Sequence, residues 1–112
     1  MNKTELFKSY SLKTSTIELE KWGGTVHIRE LSAGAIDRMR SVGEGKELQM
    51  AATVIIEGVI TDEGKKFFVQ NDMNNILEMS VSDLNKVSEA ILDLTGLIGG
   101  DDEEVAEEAE EA

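Results

Sequence analysis

Residues 16–31, TIELEKWGGTVHIREL, decide the fold, because two runs of alternating apolar and polar residues flank Gly23-Gly24. A two-residue glycine turn supplies the positive φ that a tight hairpin connection needs. Thr16–Trp22 and Thr25–Leu31 are therefore expected to pair as antiparallel strands. About that turn Trp22 opposes Thr25, Glu20 opposes His27 and Glu18 opposes Arg29 on one face, while Leu19 opposes Ile28 and Lys21 opposes Val26 on the other. Ile17, Leu19, Val26 and Ile28 gather for burial. The opposite face sets acids against bases, each exposed pair contributing about 0.2–1 kcal/mol. A lone hairpin is marginal in water, so helices must cover its apolar face.

Helical signals follow. Ser32 is placed to cap a helix from Ala33 to about Val42, with Ile36, Met39 and Val42 on one side and Gly43 and Gly45 ending it. From Lys46 to about Glu57, Leu48, Ala51, Ala52, Ile55 and Val59 form a stripe that Met50, Val54 and Ile56 widen, as expected of a central helix. Residues 54–60 also read as a strand turning at Asp62-Glu63-Gly64 to meet Lys66–Val69, since short β-branched runs suit either state. Asn71 can cap a short helix through Met79. Ser80 and Asp83 make a capping-box-like start for a last helix, with Val81, Leu84, Val87, Ile91 and Leu94 on one side and Gly96 as the stop. The fold class read from this pattern is α+β and mainly helical: an N-terminal β-hairpin packed on a small bundle of about four helices, with a disordered acidic C-terminal tail.

The chain has 112 residues, enough for one domain. Residues 1–15 are polar and read as a flexible N-terminal arm, 16–98 as the folded domain and 99–112 as the acidic tail. Net charge is -12, with 11 Lys plus Arg against 23 Asp plus Glu. Eight of the acids lie in DDEEVAEEAEEA at 101–112, so the remaining 15 acids nearly balance the bases and the body is ordinary. Ordering the tail would cost chain entropy with almost no burial in return. Acidic charge repels phosphate backbones and anionic membranes, so neither nucleic acid nor membrane is an expected partner. No apolar run approaches the roughly 18 residues of a bilayer span. The opening residues lack the apolar block of a secretory signal, and there is no cysteine, so a cytoplasmic location is expected.

Chemistry finds little purchase in this sequence. Nucleophilic catalysis needs a base beside its nucleophile, and the one histidine, His27, falls on the polar hairpin face. Asp62-Glu63-Gly64 lacks the alternating ligands of a calcium loop, and Gly43-Glu44-Gly45-Lys46 lacks P-loop spacing. No catalytic, metal or cofactor residue is assigned, and the protein is not expected to be an enzyme. What remains is apolar surface for another protein. Trp22, Met39, Met50, Phe67, Met73 and Met79 are the candidates, because thioethers repack and aromatics bury large areas at small entropic cost. Most of the methionines, with Phe68, are expected in the core, whereas Trp22 stands on the polar side of the turn.

At Glu20–Gly34, EKWGGTVHIRELSAG, the chain resembles the opening of the tail assembly chaperones of long-tailed bacteriophages and prophages: tryptophan, glycine pair, strand, arginine-glutamate-leucine, helix. The likeness continues into Thr61–Phe68, TDEGKKFF, similar to the family's aspartate-x-glycine turn and bulky apolar pair, and ends with an amphipathic helix and Leu94-Thr95-Gly96-Leu97. It spans about residues 14–98. Two departures are a less charged first helix at Gly34-Ala35-Ile36-Asp37 and a longer acidic tail. The resemblance implies a small non-enzymatic factor that binds the tape-measure protein, keeps it soluble and recruits tail-tube protein subunits. It also implies a homo-oligomer working in the host bacterial cytoplasm and absent from the mature virion. An alternative class is an acidic DNA-mimic or inhibitor with a basic partner; it requires ordered carboxylates on a rigid face, whereas the surplus acids here are in the tail.

Overall fold

The computed structural model describes residues 1–97, and the acidic tail expected over 99–112 lies outside the described residues. The elements in chain order are α1 (Lys3–Ser9), β1 (Thr14–Leu19), β2 (Gly24–Arg29), α2 (Ala33–Arg40), α3 (Glu47–Gly58), β3 (Val59–Ile60), α4 (Met73–Leu77) and α5 (Val81–Thr95). The fold is α+β. A three-stranded antiparallel sheet, ordered β1-β2-β3, lies against α5, which packs in turn on α3, with α2 and α4 beside α3.

The hairpin forms with a different register from the one the glycine pair suggested. Glu20–Trp22 coil into a 3-10 turn before Gly23 (φ 94°) and Gly24 (φ 122°), so Leu19 opposes Gly24, Ile17 opposes Val26 and Ser15 opposes Ile28. Each β1 residue thus faces a residue four places from the expected one. An even displacement leaves every side chain on its original face. Leu19, Val26 and Ile28 are buried as the alternation required, with Ile17 packed beside them. The expected pairs Glu20–His27 and Glu18–Arg29 are not formed: Thr16 opposes His27, Thr14 opposes Arg29, and Glu18 Oε2 accepts a hydrogen bond from Thr25 Oγ1 at 2.8 Å.

Residues 54–60 divide between the two states open to them. Val54, Ile55 and Ile56 are helical and fully buried in α3, after which the chain turns extended at Val59 (φ -89°, ψ 130°). Val59 then pairs with Ile28 and Ile60 with His27, and a tight turn at Thr61–Gly64 returns the chain so that the Phe67 N–H donates to the Val59 carbonyl at 3.1 Å. The junction depends on Gly58. A Cβ there would lie 2.7 Å from both Cδ1 and Cγ2 of Ile91, so the bare backbone lets α3 touch α5. Ile28, Ile55, Ile56, Ile76, Leu84 and Ile91 are almost entirely removed from water, at about 1.5–3 kcal/mol each, and form the centre of the core.

Local signals hold the helices at their ends. Ser32 accepts from the Ala35 N–H (3.1 Å) at the start of α2, and Ser80 accepts from the Asp83 N–H (3.2 Å) at the start of α5. Gly96, at φ 98°, closes α5 in a Schellman arrangement, with Leu97 N–H to the Leu92 carbonyl (2.7 Å) and Gly96 N–H to that of Asp93 (3.1 Å). Within the segment read as an arm, Asn2 Oδ1 accepts from the Glu5 N–H (3.2 Å) and caps α1, none of whose residues is buried. The sheet also begins before Thr16, as Lys13 and Glu30 exchange hydrogen bonds of 2.7 and 2.9 Å across β1 and β2. Among the described residues no helix is long and apolar enough to cross a membrane.

Candidate protein-binding site

The sheet has two unlike faces. Strand alternation turns Val26, Ile28 and Val59 toward the helices and leaves Thr16, His27 and Ile60, adjacent across the three strands, on the outward side. Ile60 is 6% exposed yet stands apart from the main core cluster, buried instead under its outward neighbours. It forms the common floor of three clefts. One, of about 370 Å³, lies between Trp22 and Phe67, with Thr25, His27, Thr61 and Asp62 along it. The second, about 340 Å³, shares His27, Ile60, Thr61 and Asp62 and adds Thr16 and Glu63. A third, about 380 Å³, shares Thr14, Ile60 and Gly64 with the second and ends at Tyr10, Leu12 and Arg29. Shared lining makes them one groove over the outward face.

Aromatic groups mark both ends of this groove. Trp22, at the end of the 3-10 turn, is half-buried and meets Phe68 edge-to-face at 6.0 Å, while Phe67 stacks edge-to-face on Phe68 at 4.9 Å and is itself 60% exposed. The Phe68 ring thus props the two walls apart, each pair adding about 0.5–1.5 kcal/mol to their burial. Tyr10, at the far end, is 67% exposed. The floor turn is fixed by Thr61, whose Oγ1 accepts from the Glu63 and Lys65 N–H groups (3.2 and 3.1 Å).

Of the candidates named from the sequence, Trp22 and Phe67 come together on this groove, and the methionines do not join them. Met39 is buried in the core, while Met50, Met73 and Met79 are half-buried against it. Met73 instead borders a separate polar cleft of about 450 Å³ between α2 and α3, where Arg38 Nε and Nη2 donate to Glu57 Oε2 and Oε1 at 2.7 and 3.1 Å. Lys66 Nζ reaches Glu57 Oε1 at 3.8 Å. The Arg38 hydrogen bonds hold the Glu57 carboxyl below the usual carboxylate range against the opposing effect of its burial, with Lys66 and Arg29 reinforcing the shift. This carboxylate follows the buried Val54–Ile56 run of α3, and its partners tie α2 and the Lys66 segment to that helix. Among the described residues no cluster of three or more His, Asp or Glu could hold a metal ion.

Sequence reasoning missed Ile60, His27, Asp62 and Tyr10 as parts of one surface. Asp62 and Glu63 were legible as a turn, and the structure forms it, but their place beside Trp22 and Phe67 depends on β3 pairing with β2.

No family model matches the chain, and no curated protein matches it. Among solved structures, the tail assembly chaperone of bacteriophage HK97 superposes with a TM-score of 0.66 at 18% sequence identity, covering 81% of this chain and 91% of that chain. The two chains share a fold. That likeness extends over most of both molecules.

Proposed function

We propose that this protein is a phage tail assembly chaperone, a non-enzymatic factor that binds the tape-measure protein, keeps that long helical client soluble and recruits tail-tube subunits to it. The observation that carries the reading is the shared fold with the HK97 tail assembly chaperone, found independently of the tryptophan–glycine-pair and aspartate–glycine–aromatic motifs that resemble the same family. An exposed aromatic groove supports it physically, because reversible binding to an aggregation-prone client needs apolar surface that is not consumed by the fold.

On this reading the chaperone domain expected over 16–98 takes in Thr14 and Ser15 of β1 as well, the residues before them are an arm, and 99–112 is an acidic solubilising tail. The protein works as a homo-oligomer in the host bacterial cytoplasm and leaves before the virion is complete. Trp22 and Phe67 contact the client directly, while Met39, Met50, Met73 and Met79 pack in and against the core. The test is dilution of a denatured tape-measure protein into buffer with and without this protein, read by light scattering. Suppressed scattering at near-equal mass supports the proposal, and scattering unchanged by a large excess counts against it.

A further inference from the structure

The groove on the outward sheet face also has a readable preference for what lies in it. Its walls at the Trp22–Phe67 end carry Asp62 and, one cleft further, Glu63, with no lysine or arginine lining these two clefts. Glu18, hydrogen-bonded to the lining Thr25, adds a third carboxylate at the rim. Lys66, beside Phe67, has its ammonium turned toward Glu57 at 3.8 Å. Arg29 enters the groove only at its Tyr10 end. The lining itself is thus acidic over the central and tryptophan-bearing parts, between apolar anchors.

Shape narrows the occupant further. His27 is paired on both sides, to Thr16 and to Ile60, so the middle of the face offers side chains and no unpaired ladder to an added strand. Three strands about 4.8 Å apart span about 10 Å, close to the diameter of an α-helix. A helix brings its own backbone hydrogen bonds and suits such a face; an extended segment does not.

We infer that the outward sheet groove binds a cationic amphipathic helix of a protein partner, its apolar side chains on Trp22 and Phe67 above the Ile60 floor and a lysine or arginine against Asp62 and Glu63. This rests on the chaperone reading only in taking the groove as a client site, and it adds the client's chemistry: basic and helical, not merely apolar.

Trp22 is the single tryptophan of the chain and lies in the groove, so its emission reports occupancy directly. The full chain is titrated with a synthetic amphipathic helical peptide of leucine and lysine, and with its counterpart in which every lysine is glutamate. The lysine peptide shifts Trp22 emission to the blue and binds about tenfold tighter or more, and the Asp62→Lys, Glu63→Lys double variant reverses the order. Both positions are exposed, so the variant folds, which circular dichroism verifies. Equal affinities for the two peptides overturn the inference, as does lysine-peptide binding that leaves Trp22 emission unchanged and so marks attachment to the acidic 101–112 segment. If the lysine peptide occupies the groove while tape-measure aggregation is unaffected, the inference stands and the chaperone proposal falls. If aggregation is suppressed equally by wild type and the charge-reversed variant, the inference alone falls.

Discussion

Two residues with no role in binding set limits on the fold. Gly58 gave no signal in the sequence, because its reason is a contact with Ile91 far along the chain. Gly58→Ala gains helix propensity of about 1 kcal/mol but inserts a methyl 2.7 Å from two carbons of a fully buried side chain, a strain of about 1–3 kcal/mol. Net destabilisation should follow, seen as a lower midpoint in urea, and Ile91→Val in the same chain should recover part of it. Glu57 makes the second case. Its carboxyl titrates lower in the folded protein than in the unfolded chain, so its contribution is complete above the ordinary glutamate range near about 4.3 and disappears as pH falls through the lower folded value. Arg38 is shifted upward and keeps its charge throughout that window. Wild type should therefore lose melting temperature on acidification below pH of about 4, and Glu57→Gln should be less stable at neutral pH with the difference closing in acid. A constant difference across that range would remove the ion pair from the account.

At the scale of elements, the sequence revealed faces better than registers. Alternation in Ile17–Leu19 and Val26–Ile28 identified the buried side of the hairpin because any even slip preserves it. The register escaped because Glu20–Trp22 coil into a 3-10 turn, from which Trp22 meets Phe68 in a segment far away in sequence. Helix ends were legible where a side chain caps its own turn, at Ser32 and Ser80, and where a glycine takes the left-handed backbone, at Gly96. Helix α1 was missed because it has no buried face to create an apolar period, only the Asn2 cap. Gly23 and Gly24 remain the hairpin's most constrained positions, both at positive φ with open space around them, so substitution strains backbone alone. Replacing both with Val should cost about 2 kcal/mol or more, by thermal melting; an unchanged midpoint would show that the turn rearranges freely.

Over the whole molecule, the acidic surplus is unevenly distributed along the sequence. The body is nearly balanced, eight acids are concentrated at 101–112, and the exposed aromatics Phe67 and Tyr10 border the outward sheet face. That groove was beyond sequence reasoning, since it needs Ile60 turned outward by the two-residue strand β3, which a helical reading of 54–60 hides. Removing residues 101–112 changes the formal charge from -12 to -4. Colloidal repulsion should then fall and self-association rise at low salt, with the difference shrinking as salt screens it and with melting temperature almost unmoved. Earlier melting of the truncated chain would place the tail on the folded body.

The central claim, that the outward groove of this chaperone-like fold keeps a helical tail protein in solution, is tested most directly by co-expression with a tape-measure protein. The quantity measured is the fraction of that protein left soluble, for wild type and for a Trp22→Ala, Phe67→Ala variant whose folding is verified separately. The account predicts a soluble client with wild type and loss of most of it with the variant. A client that stays soluble with both, or precipitates with both, would contradict it.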